Sequence, residues 1–163
     1  MSSVWVVNAS PLISLARVGQ LALLQAPNRD MHVPDAVARE VLAGPATDPA
    51  RQALETGFGG TPISTTIDLR VVEWGLGAGE TSVLSYAIAT GATAVLDDGR
   101  ARSAARVLGV SVIGTLGVVL QARRTRRIAS AAALLRALRD AGMRLDDVTI
   151  ADALAQSVGE KWP

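Results

Sequence analysis

The chain has 163 residues, 49% hydrophobic and 19% charged, proportions that fit one globular domain spanning residues 1–163. Sixteen basic against fifteen acidic side chains leave a formal charge of +1, so attraction to nucleic acid or membrane must come from a local patch rather than a global field. With no cysteine and only His32 as histidine, disulfides, thiolate chemistry, cysteine- or histidine-built metal sites and a Ser-His-Asp triad drop out, and hard oxygen ligands remain.

Val4 to Val7 is a short, nearly all-apolar run that stops at Asn8, Ser10 and Pro11, the pattern of a buried strand. Ser10 suits an N-cap and Pro11 a first helical residue, and Leu12, Leu15, Ala16, Leu23 and Leu24 continue at helical spacing. A second helix is predicted from Val33-Pro34-Asp35, with Val37 and Val41 inward, and a third from Asp48-Pro49 to near Gly57. Phe58 to Pro62 reads as loop, and the β-branched segment 63–72 as containing a strand. The glycine-rich stretch 75–79 breaks the pattern before Glu80, after which Val83, Leu84, Ala87 and Ile88 mark an amphipathic helix. Its sixth position is Glu80 where a dinucleotide-binding loop requires glycine, and that charge would repel a pyrophosphate.

From there strand 93–96, helix 100–108, strand 110–113 and helix 116–123 alternate, with Gly91, Gly109 and Gly114 at the turns, and two further helices follow over 131–141 and 149–158. Asp147 is expected to cap the last of them. Such alternation implies an α/β fold, a three-layer α/β/α domain with a central parallel sheet. No apolar run approaches the roughly 18 residues of a membrane span, and the N-terminal residues lack a basic region and cleavage site, so the expected location is cytoplasmic, without membrane.

In an open parallel sheet, ligands bind beyond the carboxyl ends of the strands. The first strand delivers Asn8 and Ser10 to that rim, the 93–96 strand Asp97 and Asp98, and the 110–113 strand Gly114 and Thr115. Each has a structural alternative: an Asx turn for Asn8, a helix cap for Ser10, Thr115 or one aspartate. One cap accounts for only one member of the Asp97-Asp98 pair. Glu80 lies three and four residues before Val83 and Leu84, beside the buried stripe, and Glu40 borders the inward stripe of Val37. Their alternatives are a first-turn acid answering the helix dipole and a partner of Arg39. Carboxylates gathered at one rim repel unless a cation intervenes, and magnesium or manganese would suit them. Such an ion activates water and neutralises charge building on a phosphate, which points to phosphodiester hydrolysis.

Five segments together resemble the PIN domain: Val7-Asn8-Ala9-Ser10-Pro11-Leu12-Ile13; Val33-Pro34 with Glu40-Val41; Gly77-Ala78-Gly79-Glu80; Leu96-Asp97-Asp98 with Arg102; and Val112-Ile113-Gly114-Thr115-Leu116-Gly117. More narrowly they are similar to a PIN-like branch of prokaryotic proteins related to VapC toxins, from about Val4 to Gly142. The resemblance implies a metal-dependent ribonuclease, the toxin of a type II pair with a cognate antitoxin. It places Asn8, Glu40, Glu80 and Asp98 at the four acidic positions, with Asp97 as neighbour, Ser10 and Thr115 as supporting hydroxyls, and Asn8, Glu80 and Asp98 on the metal. Asn8 departs from the acidic pattern: its amide oxygen can ligate, but it carries no charge and is no base. The alternative function is a catalytically weakened PIN-like protein that binds RNA or a partner without cutting.

Arg102, four residues after Asp98, suits an ion pair or an incoming phosphate. Arg123, Arg124, Arg126 and Arg127 form the strongest basic cluster, either an RNA track or a solvated helix end answering its dipole. Trp5, Trp74 and Trp162 are too dispersed for a base-stacking platform. Trp5 is expected in the core and Trp74 under the glycine loop. Leftover apolar surface would suit a homodimer or an antitoxin segment.

Overall fold

The structure is a computed structural model that describes residues 3–163. Its elements are, in chain order, β1 (Val4–Val7), α1 (Ala9–Arg17), a 3₁₀ turn (Leu21–Leu24), β2 (Asp30–His32), α2 (Asp35–Leu42), α3 (Pro49–Glu55), α4 (Leu69–Val72), α5 (Ala78–Thr90), β3 (Thr93–Val95), α6 (Gly99–Val107), β4 (Val112–Ile113), α7 (Thr115–Arg124), α8 (Ala131–Asp140) and α9 (Asp147–Ser157). The four strands form one parallel sheet in the order β2-β1-β3-β4. Trp5 pairs with Met31 on one side and Thr93 on the other, and Ala94 pairs with Val112. Helices cover both faces, the three-layer α/β/α arrangement the alternating pattern implies. The central strands are the most buried, as strands covered on both faces must be: Trp5, Val6 and Val7 in β1, and all of β3.

One expected strand is absent, and a strand the sequence pattern does not announce is present. Segment 63–72 holds no strand: Ile63 makes one isolated parallel bridge to Pro34, and Leu69–Val72 is a helical turn capped by Asp68. The β-branched run finds no ladder beyond that bridge, because the Asp68 amide is drawn to Ser85 Oγ (2.9 Å) and turns the chain into α4. The strand beside β1 is instead Asp30-Met31-His32, three residues with no alternating apolar signal.

Two caps also shift. Asn8, not Ser10, is the N-cap residue of α1, so Ser10 and Pro11 lie inside its first turn, where a missing N–H matters little. Asp146, not Asp147, caps α9 by accepting from the Thr149 amide at 2.8 Å. Asp147 accepts from Arg139 and from the Trp162 indole instead. Trp5 is buried as expected, with the Arg29 guanidinium 3.3 Å above its ring. Trp74 is half-buried, and its carbonyl accepts from Arg100.

The core runs from Leu12 and Leu15 of α1 through Leu84 and Leu96 to Leu135, Leu138, Ile150 and Leu154 near the C-terminus. The chain after α9 is held by Glu160, which accepts from the Ala131 and Ala132 amides (2.9 and 3.1 Å), Ser130 Oγ (2.9 Å) and Arg123 Nε (3.1 Å). Burial opposes its charge, but the two amides, the hydroxyl and Arg123 hold its pKa below the ordinary glutamate value. A depressed carboxylate pKa adds stability above the unfolded pKa that is lost as pH falls through the folded one. Glu160→Gln is expected to lower the urea midpoint, by about 1–3 kcal/mol of stability, and to flatten the acid limb of the stability profile, both read by circular dichroism.

Candidate active site

Sheet pairing carries on past the ends of the strands and fixes the rim. The Asn8 amide donates to Val95 O (3.1 Å) and the Leu96 amide to Ile113 O (3.0 Å), so Asn8, Asp97 and Thr115 leave neighbouring strands at one level. Beyond them opens a cleft of about 510 Å³, lined by Asn8, Ser10, Glu80, Asp97 and Asp98 together with Ile13, Ser14 and Arg17 of α1 and residues 142–144 after α8.

The structural alternatives now separate. Asn8 occupies an N-cap position yet makes no capping bond. Its side chain, in a residue only 2% exposed, turns to Glu80, with Nδ2 donating to Oε1 at 3.2 Å, while Oδ1 has no partner. Asp98 does cap: Oδ2 accepts from the Ala101 amide (2.9 Å) at the start of α6. Asp97 accepts three bonds, from the Thr115 amide and hydroxyl (both 2.7 Å) and from Ser10 Oγ (3.2 Å). Those donors lock its rotamer and leave its charge facing the cleft. Ser10 and Thr115 therefore act on Asp97 rather than on helix ends.

Glu40 stands apart from the others. It lines an adjoining hollow of about 360 Å³ that shares Glu80 with the main cleft. The first turn of α5 joins the two through Gly79, where an added Cβ would come within 2.9 Å of Asn8 Oδ1 and 3.1 Å of Glu40 Oε2. Only glycine leaves that gap open. Partial burial of its carboxylate, then the negative charge of Glu80, push the Glu40 pKa above the ordinary glutamate value.

Arg102 reaches over the start of α7, where a Cβ on Gly114 would collide with its guanidinium, and it forms no ion pair among the described residues. The basic cluster lies at the other end of α7, about 15 Å along the helix axis from Thr115. Arg123 pairs with Glu160, and Arg127 donates to the Ala22 and Gln25 carbonyls (both 2.7 Å); Arg124 and Arg126 are exposed. Sequence reasoning passed over Arg17 and Arg144 in the cleft. Arg17 was traceable, ending the helix that starts at the rim, whereas Arg144 sits in a loop without periodicity.

The donor set has the chemistry of a site for a hard divalent ion: carboxylates and one buried amide oxygen left without a hydrogen bond. Among the described residues no three acidic side chains are close enough to enclose a metal.

A family model described as a PIN domain matches residues 4–160. The chain belongs to the PIN-domain family. PIN domains share a nuclease fold, are generally metal-dependent nucleases and typically use divalent metals. No curated protein and no solved structure matches this PIN domain significantly. No helix among its described residues is long and apolar enough to cross a membrane.

A raised pKa on Glu40 means that, without metal, stability falls as pH rises from the ordinary glutamate range through the Glu40 pKa. Glu80→Gln removes the facing charge and should move the Glu40 titration midpoint down toward the ordinary value, as followed by carboxyl-carbon NMR. An unmoved midpoint would mean that the two carboxylates do not feel each other.

Proposed function

We propose that this PIN domain is a Mg²⁺- or Mn²⁺-dependent endoribonuclease of the cytoplasm, working as the toxin of a type II toxin–antitoxin pair. The observation that carries the nuclease reading is the side chain of Asn8: a buried amide oxygen without a partner, in a residue that donates to Glu80 and lines one cleft with Asp97 and Asp98. The toxin reading rests on the resemblance to the VapC-related branch. The exposed apolar side chains of Ile67, Leu69 and Val72 offer surface to a cognate antitoxin or to a second copy in a homodimer.

Asn8, Glu80 and Asp98 would hold the ion, with water and substrate oxygens completing its shell, and when bound it would activate water and neutralise charge on the scissile phosphate. The chain's own residues supply the rest. Asp97, fixed by Ser10 and Thr115, presents a carboxylate that need not reorient when substrate arrives. Asn8 Nδ2 orients Glu80 so that its second oxygen remains free to accept a proton. Glu40 relieves repulsion in the metal-free state by holding a proton more readily than an ordinary glutamate.

A binding-only reading is favoured by one feature, the lost charge at position 8. A PIN domain that has given up that charge can retain RNA or a partner protein without cutting. Incubation of the protein with a mixed RNA panel in magnesium, then manganese, separates the two. The nuclease reading expects cleavage that falls about 10²- to 10⁴-fold in Asp97→Asn and in Glu80→Gln. Activity that survives both substitutions removes the proposed site, and RNA retained but never cut supports the second reading.

Asn8→Asp supplies a further check. The new carboxylate loses the hydrogen bond to Glu80 and faces its charge, so the variant should be less stable than the parent in chelator. Manganese should bind it more tightly by calorimetry and restore the lost melting temperature. Equal affinity in both proteins would place position 8 away from the ion.

A further inference from the structure

The cleft that holds the acidic rim has a second, basic end. Arg17, in the last turn of α1, lies about 12 Å along the helix axis from the residue after Asn8, and Arg144 enters from the loop between α8 and α9. Both are exposed. Although they line the same cleft as Glu80, Asp97 and Asp98, neither pairs with any of them. Arg17 approaches only Asp48, at 3.8 Å, and Arg144 has no ion pair among the described residues. With Arg17 held by that one long contact and Arg144 unpaired, both guanidinium groups have donors available to an anion from solution. Between the two ends the wall is apolar, formed by half-buried Ile13 and Met143.

We propose that Arg17 and Arg144 seat a backbone phosphate of single-stranded RNA neighbouring the one cut at the acidic end, with a sugar or base lying on Ile13 and Met143. The inference rests on the nuclease reading for its choice of ligand. An isolated acidic rim would repel a polyanion, and the basic pair supplies attraction at a fixed distance from the reacting group, which sets the register of the strand. A cleft of about 510 Å³ takes a segment of unpaired strand, with its base splayed against a polarizable thioether. The exposed arginines at the far end of α7, Arg124 and Arg126, are the competing phosphate contacts.

The test is the salt dependence of binding to a short fluorescein-labelled single-stranded RNA of mixed sequence. Anisotropy is followed in calcium in place of magnesium, with the RNA checked on a gel after each titration. Each phosphate contact contributes about 0.7 to the slope of log affinity against log salt for a single strand. Arg144→Gln and Arg17→Gln together should reduce that slope by about 0.7, the loss of the one phosphate they seat, with Arg144→Gln alone giving a part of it, and without changing affinity for manganese measured separately. Arg144 is exposed and unpaired, so its substitution is readable even if loss of the contact to Asp48 disturbs the Arg17 variant. An unchanged slope in Arg144→Gln, a slope lost instead in Arg124→Gln/Arg126→Gln, or no binding of the strand overturns the proposal. Strand binding that depends on both cleft arginines, in a protein that cuts nothing, defeats the nuclease reading and leaves this one standing.

Discussion

The carboxylate of Asp97 is the joint on which the rim depends. It leaves the end of β3, accepts from Ser10 in the first turn of α1 and takes both donors of Thr115 at the first residue of α7. Three crossovers that diverge from neighbouring strands are thereby tied to one charged group. Hydrogen bonds to a charged acceptor are among the stronger ones a protein makes, and here they act where a parallel sheet would otherwise open. The cleft is wide enough to hold a ligand because the helices diverge, and stiff enough to hold it in one pose because Asp97 ties their starts together.

The same rim carries a charge problem that the fold handles by spacing and dilution. Glu80 sits between Asn8 and Glu40 and faces the main cleft and its neighbouring hollow. On one side it meets a neutral amide whose N–H it accepts; on the other it meets a carboxylate whose ionisation is made harder by partial burial and by Glu80 itself. With aspartate in place of Asn8, two carboxylates would face each other wherever no cation was bound. Asparagine at that position gives an ion-free state with less internal repulsion, and correspondingly less pull on a cation.

Much of this was legible in the sequence, because parallel α/β folds write themselves in long-range order. Continuous apolar strands, glycine turns and amphipathic helices gave β1, β3, β4 and the helices from α5 onward to within a few residues, and the rule that strand ends carry the site directed attention to Asn8, Asp97 and Thr115. What escaped was decided by partners. Asp30-Met31-His32 becomes a strand because β1 offers it an edge, and the β-branched run after Ile63 does not because the Asp68 amide bonds to Ser85. Which of two adjacent aspartates caps a helix, Asp97 or Asp98, Asp146 or Asp147, depends on a rotation of roughly one residue that no composition records. Glu40 was placed on an inward-bordering face, but its separation from the main cleft follows from the path of α5. Arg144 could not be found at all, since its place depends on how α8 packs.

Gly79 has a consequence for how sequences of this kind can vary. The space above its Cα is shared by the Asn8 oxygen and the Glu40 carboxylate, so the three positions compete for one small volume. A methyl group there would lie 2.9 Å from the amide oxygen of a nearly inaccessible residue, so the side chain at position 8 would have to shift or shorten to make room for it. Positions 8 and 79 are thus epistatic: a change tolerated at either one depends on what occupies the other, and drift through this part of the protein must move in coordinated steps.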